Sequence, residues 1–375
     1  MNSPTIEKRR IALEEKYLSS ITKSPLTGIV IATLTTFVFI ATGLLPYQTL
    51  ETVIGFIIVA WLAVENGGND VSKGVAPLVS SGAAKEIVAL VYGSLVTAVG
   101  GFLSIYLGIK LLKLFTGGII GANYKITIVM ALAMAAGAAL WVAFATRFSL
   151  PVSTTHAIVG AVVVVGTVTY GFSSVVWSSL IHKVVLPLIL SPALGLSIAW
   201  LLMYAISLLK IPENASRGLT WISSGAICFV RAVNDTPKIV AITVLVAMLP
   251  SDVRQTDSLL PMFLLVTVAM GIGSLVKGLS VTRLLSNKVT QLDNYSSVSA
   301  VLTTTALVLS SSQMGLPVST THVSTSAIIG AGVRKGRQAI NWIVVRDMVL
   351  SWLVTLPGAG LLGAIAYYIL RILIN

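Results

Sequence analysis

Apolar runs separated by short polar turns recur along the whole 375-residue chain. They lie near 26–45, 53–64, 88–109, 126–145, 155–170, 184–209, 219–230, 238–250, 260–276, 298–312, 321–333 and 348–373. A helix needs about 20 apolar residues to cross a bilayer, so the pattern predicts an all-α polytopic membrane protein with about ten to twelve membrane segments. The runs at 53–64, 219–230, 238–250 and 321–333 are short for a crossing, and each abuts a polar or Gly/Pro-containing motif. Short runs of that kind predict broken or re-entrant helices, whose free backbone groups must be buried in protein or line a wet cavity.

Composition narrows the class. With 55% hydrophobic and 10% charged residues and a mean hydropathy of +0.93, a soluble enzyme, a coiled coil and a disordered chain are excluded. The net charge of +12 comes from Lys and Arg in short polar stretches: Lys8, Arg9, Arg10, Lys16, Lys23, Lys277, Arg283, Lys288, Arg334, Lys335 and Arg337. Such clusters mark loops beside an anionic cytoplasmic leaflet rather than a nucleic-acid surface. They predict a multi-pass protein of the plasma (inner) membrane with a cytoplasmic amino terminus. Cys228 has no second cysteine to pair with, and three histidines, His156, His182 and His322, do not compose a usual metal site. The charged first 25 residues lack the apolar core of a removable signal peptide.

Two motifs repeat. Asn69-Asp70-Val71-Ser72-Lys73-Gly74-Val75-Ala76 aligns with Asn234-Asp235-Thr236-Pro237-Lys238-Ile239-Val240-Ala241, 165 residues later. Leu150-Pro151-Val152-Ser153-Thr154-Thr155-His156 returns unchanged 166 residues on, as Leu316-Pro317-Val318-Ser319-Thr320-Thr321-His322. Two offsets that agree within one residue mark a duplication. The chain then divides into an amino-terminal segment (1–25), a first span (26–49), a first half with a bridging span (50–210) and a second half (211–375). Parallel or inverted halves differ by an odd or even number of crossings between them. Interrupted helices in a duplicated membrane protein favour inversion.

Asp70 and Asp235 lie within apolar surroundings, where a carboxylate is costly unless paired or solvated and is usually functional. Asp70 follows Asn66-Gly67-Gly68-Asn69, whose glycines would let the backbone unwind and bare its carbonyls. With Asn69 and Asn234 these acids form a hard-oxygen set suited to Na⁺, or a pair of proton carriers. They also suit helix caps. The Pro-Val-Ser-Thr-Thr-His runs read as helix starts, whose free N–H groups and hydroxyls (Ser153, Thr154, Thr155, Ser319, Thr320, Thr321) compose an anion cradle without net charge. His156 and His322 either orient those hydroxyls or serve as structural side chains. Lys73 and Lys238 fall three residues after the acids, in reach on one helical face. There an ammonium pairs with the carboxylate, attracts an anion, or takes the place of a second cation. Glu65 and Arg231 add two more charges, as inter-helix pairs or gates.

Together these motifs resemble the inorganic phosphate transporter family, the Pit-type permeases that include sodium–phosphate symporters. The likeness covers nearly the whole chain after residue 26. It rests on Gly67-Gly68-Asn69-Asp70-Val71, Val233-Asn234-Asp235-Thr236 and the paired Pro-Val-Ser-Thr-Thr-His runs. The resemblance implies an inverted-repeat helical transporter, dimeric, with phosphate between the motif pairs and cations at the Asn-Asp carboxylates. The chain departs from the family pattern at Lys73 and Lys238, where many members carry Asn or a small residue, and at Val233, which replaces a glycine.

The resulting expectation is a secondary transporter that moves inorganic phosphate, coupled to Na⁺ rather than H⁺, and is not an enzyme. Phosphate and Ser153, Thr154, Thr155, Ser319, Thr320, Thr321, Asn69 and Asn234 would meet at the substrate site. Na⁺ would sit at Asp70 and Asp235, with no other cofactor. A sulfate permease of the same family and a passive anion channel are the alternatives. A phosphoryl-transfer enzyme would need a nucleophile and base or an acidic metal cluster, and the remaining acids, among them Glu213, Asp252, Asp257, Asp293 and Asp347, are scattered.

Overall fold

The computed structural model describes residues 20–45, 49–208, 213–248, 256–288, 294–333, 336, 338 and 340–374. Most of the described residues are helical, and beyond an isolated bridge between Ile120 and Val175 they form no strand. Most of the 1–25 segment, Arg334, Lys335, Arg337, Asp252 and Asp293 lie outside them.

The helix α1 (Pro25–Ala41) stands first, and two similar series of six elements follow it. The first series is α2 (Leu50–Ser80), α3 (Glu86–Leu107), α4 (Ile109–Gly117), α5 (Ile128–Arg147), α6 (Thr154–Tyr170) and α7 (Leu186–Ser207), the last entered through a π-helical turn at Ile181–Val185. The second is α8 (Glu213–Val246), α9 (Thr256–Lys277), α10 (Leu279–Lys288), α11 (Asn294–Met314), α12 (Thr320–Val333) and α13 (Trp342–Ile374). Six stretches are long and apolar enough to cross a membrane: Leu50–Ser80, Glu86–Leu107, Ile128–Arg147, Trp177–Ile206, Leu259–Lys277 and Val345–Ile374. Their outward faces carry exposed Leu95, Phe102, Leu353 and Leu361, and α1 carries Leu34 and Phe37, hydrocarbon that water would not tolerate in such quantity but lipid does. The chain is a multi-pass membrane protein.

The sequence expectation needs correction at the long helices. The short runs at 53–64, 219–230 and 238–250 are not separate broken segments. The first continues without interruption through Asn69-Asp70 to Ser80 in the 31-residue α2, and the other two join across Asn234-Asp235 in the 34-residue α8. Glycines Gly67 and Gly68 do not unwind the helix. Their missing side chains admit α9, where Met270 and Lys277 close on positions a Cβ would occupy. Buried packing of small residues thus keeps a helix that glycine propensity alone would weaken. Interruption occurs instead between α5 and α6, and between α11 and α12. There the chain leaves the helix at 148–153 and at 315–319, and re-enters at Thr154 and Thr320.

Helices α2 and α8 cross at the centre. Position 55 meets Val246, Asn66 meets Asp235 and position 74 meets Cys228, so numbers rise along one helix as they fall along the other. Equivalent helices of the two series run antiparallel, and the halves are inverted repeats. Helices α3 and α9 flank this crossing. The hairpin α5–α6 packs on α2 of its own half and on α13 of the other. Likewise α11–α12 packs on α8 and on α7, so each hairpin is clamped between halves.

Candidate functional site

Each hairpin tip is tied to an asparagine of the long helix of its own half. Asn69 Nδ2 donates to Leu150 O (2.9 Å) and Thr146 Oγ1 (3.2 Å), while its Oδ1 accepts from Val152 N (3.1 Å). Asn234 repeats the arrangement: Nδ2 donates to Val318 O and Thr320 Oγ1 (both 3.1 Å), and Oδ1 accepts from Ser312 Oγ (3.2 Å). An amide presents both donors and acceptors, so one side chain can satisfy a turn whose backbone groups would otherwise be orphaned inside the protein. Both asparagines are therefore engaged in holding the tips.

The tips then meet each other. Thr155 Oγ1 donates to Val318 O (3.3 Å) and Thr321 Oγ1 to Val152 O (2.7 Å), a reciprocal pair. The rings of His156 and His322 lie 4.6 Å apart, and His322 also packs 3.9 Å from Trp352. Ser153 and Ser319 cap their helices by accepting from His156 N and His322 N, each at 3.3 Å. Ser153 Oγ additionally lies 2.8 Å from His156 Nδ1. Thr154 Oγ1 accepts from Asn66 Nδ2 at 2.7 Å, and that amide lies 3.4 Å from Asp235 Oδ2. Two helix amino termini, each with partial positive charge, converge beside the α2–α8 crossing.

The charges collect at the same place. Asp70 pairs with Lys73 at 2.5 Å and Asp235 with Lys238 at 3.2 Å, all four side chains buried. Asp70 and Asp235 are close enough to interact directly. The two lysines differ in their other contacts. Lys238 Nζ also donates to Thr155 Oγ1 (2.6 Å) and Val318 O (3.3 Å), whereas Lys73 lines a cavity with Pro77, Ser80, Pro151, Thr321, Ser324 and Thr325. Arg231, fully buried, donates to Thr97 Oγ1 (2.7 Å) and Ser274 Oγ (2.9 Å) and forms no salt bridge among the described residues. Buried among the described residues are the acids Glu65, Asp70 and Asp235 against the bases Lys73, Arg231, Lys238 and Lys277. By formal charge the interior carries one more base than acid, and the unpaired one is Arg231.

Glu65 stands apart from this cluster. Its Oε1 accepts from Lys277 Nζ (2.6 Å) and Trp61 Nε1 (3.0 Å), and Lys277 also donates to Ser24 O (2.7 Å). This is a pair between α2 and α9. Lys277 is no loop cation, as its place in the sequence suggested, but fully buried. Asn66, Thr146 and Ser312 are further polar residues that motif reading passed over. The signal for the last two was their shared offset of 166.

Residues 66–223 and 210–363 each match the phosphate transporter family. The chain belongs to that family. It is 29% identical, over 83% of its length and 76% of the relative's, to a probable low-affinity inorganic phosphate transporter of Mycobacterium bovis. Over 88% of its length and 98% of the relative's, it is 27% identical to a putative phosphate permease of Pyrococcus furiosus. A solved structure described as the sodium-dependent phosphate transporter shares the fold, with a TM-score of 0.76 and 23% identity, over 86% of this chain and all of that one. The two family matches correspond to the two inverted halves, and the site lies between them.

Proposed function

We infer that this phosphate transporter family member is a secondary active transporter of inorganic phosphate, driven by a cation gradient across the plasma membrane. One observation carries the reading: two mirrored hairpin tips meet, amino termini and hydroxyls together, at the crossing of two acid-bearing helices. Thr154, Thr155, Thr320 and Thr321 are the phosphate contacts, with Ser153 and Ser319 fixing the helix ends. Asn69 and Asn234 hold the tips in place for them. Thr154 and Thr320 accept from Asn66 and Asn234, which leaves their O–H groups for an oxyanion, while Thr155 and Thr321 must first release Val318 O and Val152 O.

Asp70 and Asp235 take the coupling cation, which must displace a lysine ammonium from each carboxylate it occupies. Na⁺ suits oxygen ligands of this kind, and it is the ion named for the structure that shares the fold. Lys85, Arg217 and Arg283 lie at the end where α2 finishes and α8 begins, which supports a cytoplasmic position for that end.

Uptake of labelled phosphate into proteoliposomes tests the reading. Phosphate should accumulate only when a Na⁺ or H⁺ gradient is imposed, should saturate, and should be little affected by excess sulfate. Asp70→Asn and Asp235→Asn should abolish accumulation while the protein still inserts. Uptake that needs no gradient and does not saturate would assign the protein to passive anion conduction, and competition by sulfate would assign it to the broader oxyanion permeases.

A further inference from the structure

We propose that a second oxyanion site lies on one side only of the molecule, in the cavity that Lys73 shares with Ser324 and Thr325, and that Lys73 passes from Asp70 to the anion there. The proposal rests on the transport reading above and names the step by which phosphate reaches the centre.

The cavity that contains Lys73 begins at exposed Ser80, seven residues further along α2, about 10 Å away at helical rise. Its other walls are Pro77, Pro151, Leu285 and the α12 face bearing Thr321, Ser324 and Thr325. Lys73, Ser324 and Thr325 are 4%, 3% and 5% exposed, so the polar groups lie at the inner end. Ser324 Oγ donates to Thr321 O at 3.3 Å, and Lys73 Nζ has Asp70 as its one polar partner among the described residues. An ammonium offers three donors. With one used, it has donors left for an anion in the cavity.

Inversion supplies the comparison. The repeat offset maps Ser80, Ser324 and Thr325 onto Leu245, Ile158 and Val159. Those residues are 6%, 0% and 2% exposed, and the matching lysine, Lys238, is closed in by Thr155 and Val318. At these matched positions the two halves differ in side-chain chemistry. One side offers hydroxyls and a cation, and the other offers hydrocarbon. A tetrahedral oxyanion with several acceptor oxygens fits the first and is excluded from the second. When Lys73 turns to that anion it leaves Asp70 bare, which opens the carboxylate to the coupling cation and ties cation binding to phosphate binding.

Equilibrium binding of inorganic phosphate to the detergent-solubilised protein, with and without Na⁺, tests this. Wild type should bind more tightly in Na⁺. Lys73→Gln should weaken binding by about tenfold or more and abolish the Na⁺ effect. The double variant Ser324→Ala/Thr325→Val, which removes hydroxyls without touching a charge pair, should weaken binding several-fold and keep the Na⁺ effect. Affinities within twofold of wild type in both variants would overturn the proposal while leaving the transport reading intact. So would displacement of phosphate by added phosphatidylglycerol in wild type but not in Lys73→Gln, which would make the site one for lipid headgroups. Absence of phosphate binding and uptake in wild type would overturn the transport reading itself.

Discussion

A charge buried without its partner costs more than the pair returns, and this rule orders the residues of the interior. Glu65 and Lys277 contact each other at 2.6 Å with neither exposed. Lys277→Met alone should destabilise the protein by about 3–5 kcal/mol, because Glu65 is left charged and unpaired. Glu65→Leu combined with Lys277→Met should recover most of that loss. Thermal unfolding in detergent, arranged as a double-mutant cycle, measures both, and additive effects would show that the two do not act as a pair. Asn69→Ala removes the hydrogen bonds to Leu150, Thr146 and Val152. It should cost roughly 2–4 kcal/mol at about 1 kcal/mol per bond plus stranded tip groups, and should end uptake. Asn69 was recognisable from its motif, yet its partners were not, because they lie about 80 positions away. Lys277 was misread for a related reason. A lysine at the end of an apolar run has the same sequence signature whether it reaches to headgroups or folds inward to an acid.

At the scale of elements, glycine changes meaning with its surroundings. Gly67, Gly68 and position 273 let α2 and α9 approach until backbone of one helix meets the other, with Met270 O and Val64 O against the vacant Cβ positions. Gly67→Leu should force these helices apart and destabilise the protein by about 1–3 kcal/mol or more, read as loss of monodisperse protein in size-exclusion chromatography. An unaltered profile would restore the idea of a locally unwound helix. Gly74 is closed in by Cys228 and Ser224 on α8 in the same way. Sequence reading expected interruption at the Gly-Gly pair, since glycine frees an isolated helix, and found it correctly only before the Ser-Thr-Thr runs, where proline precedes a capping serine. Caps are local chemistry between neighbours in sequence, whereas close packing depends on a helix about 200 residues distant.

The whole molecule is an inverted pair whose two sides differ. Cysteine placed at position 80 should react with a membrane-impermeant thiol reagent from the cytoplasmic side, and cysteine at its mirror position 245 should not. Native Cys228 is fully buried and adds no background. Equal labelling at both positions, or labelling of 245 alone, would show that the closed side has been assigned wrongly. Apolar patterning, a doubled set of motifs and matching offsets already determined the helical membrane class, the duplication and the family, because hydropathy and repetition are written along one dimension. The direction of the halves, the crossing of α2 and α8, the clamping of each hairpin by the opposite half and the seating of Lys277 on Glu65 were decided only by tertiary structure. Each of these depends on which residues meet across distances of about 80 to 250 positions, and no local preference specifies such meetings.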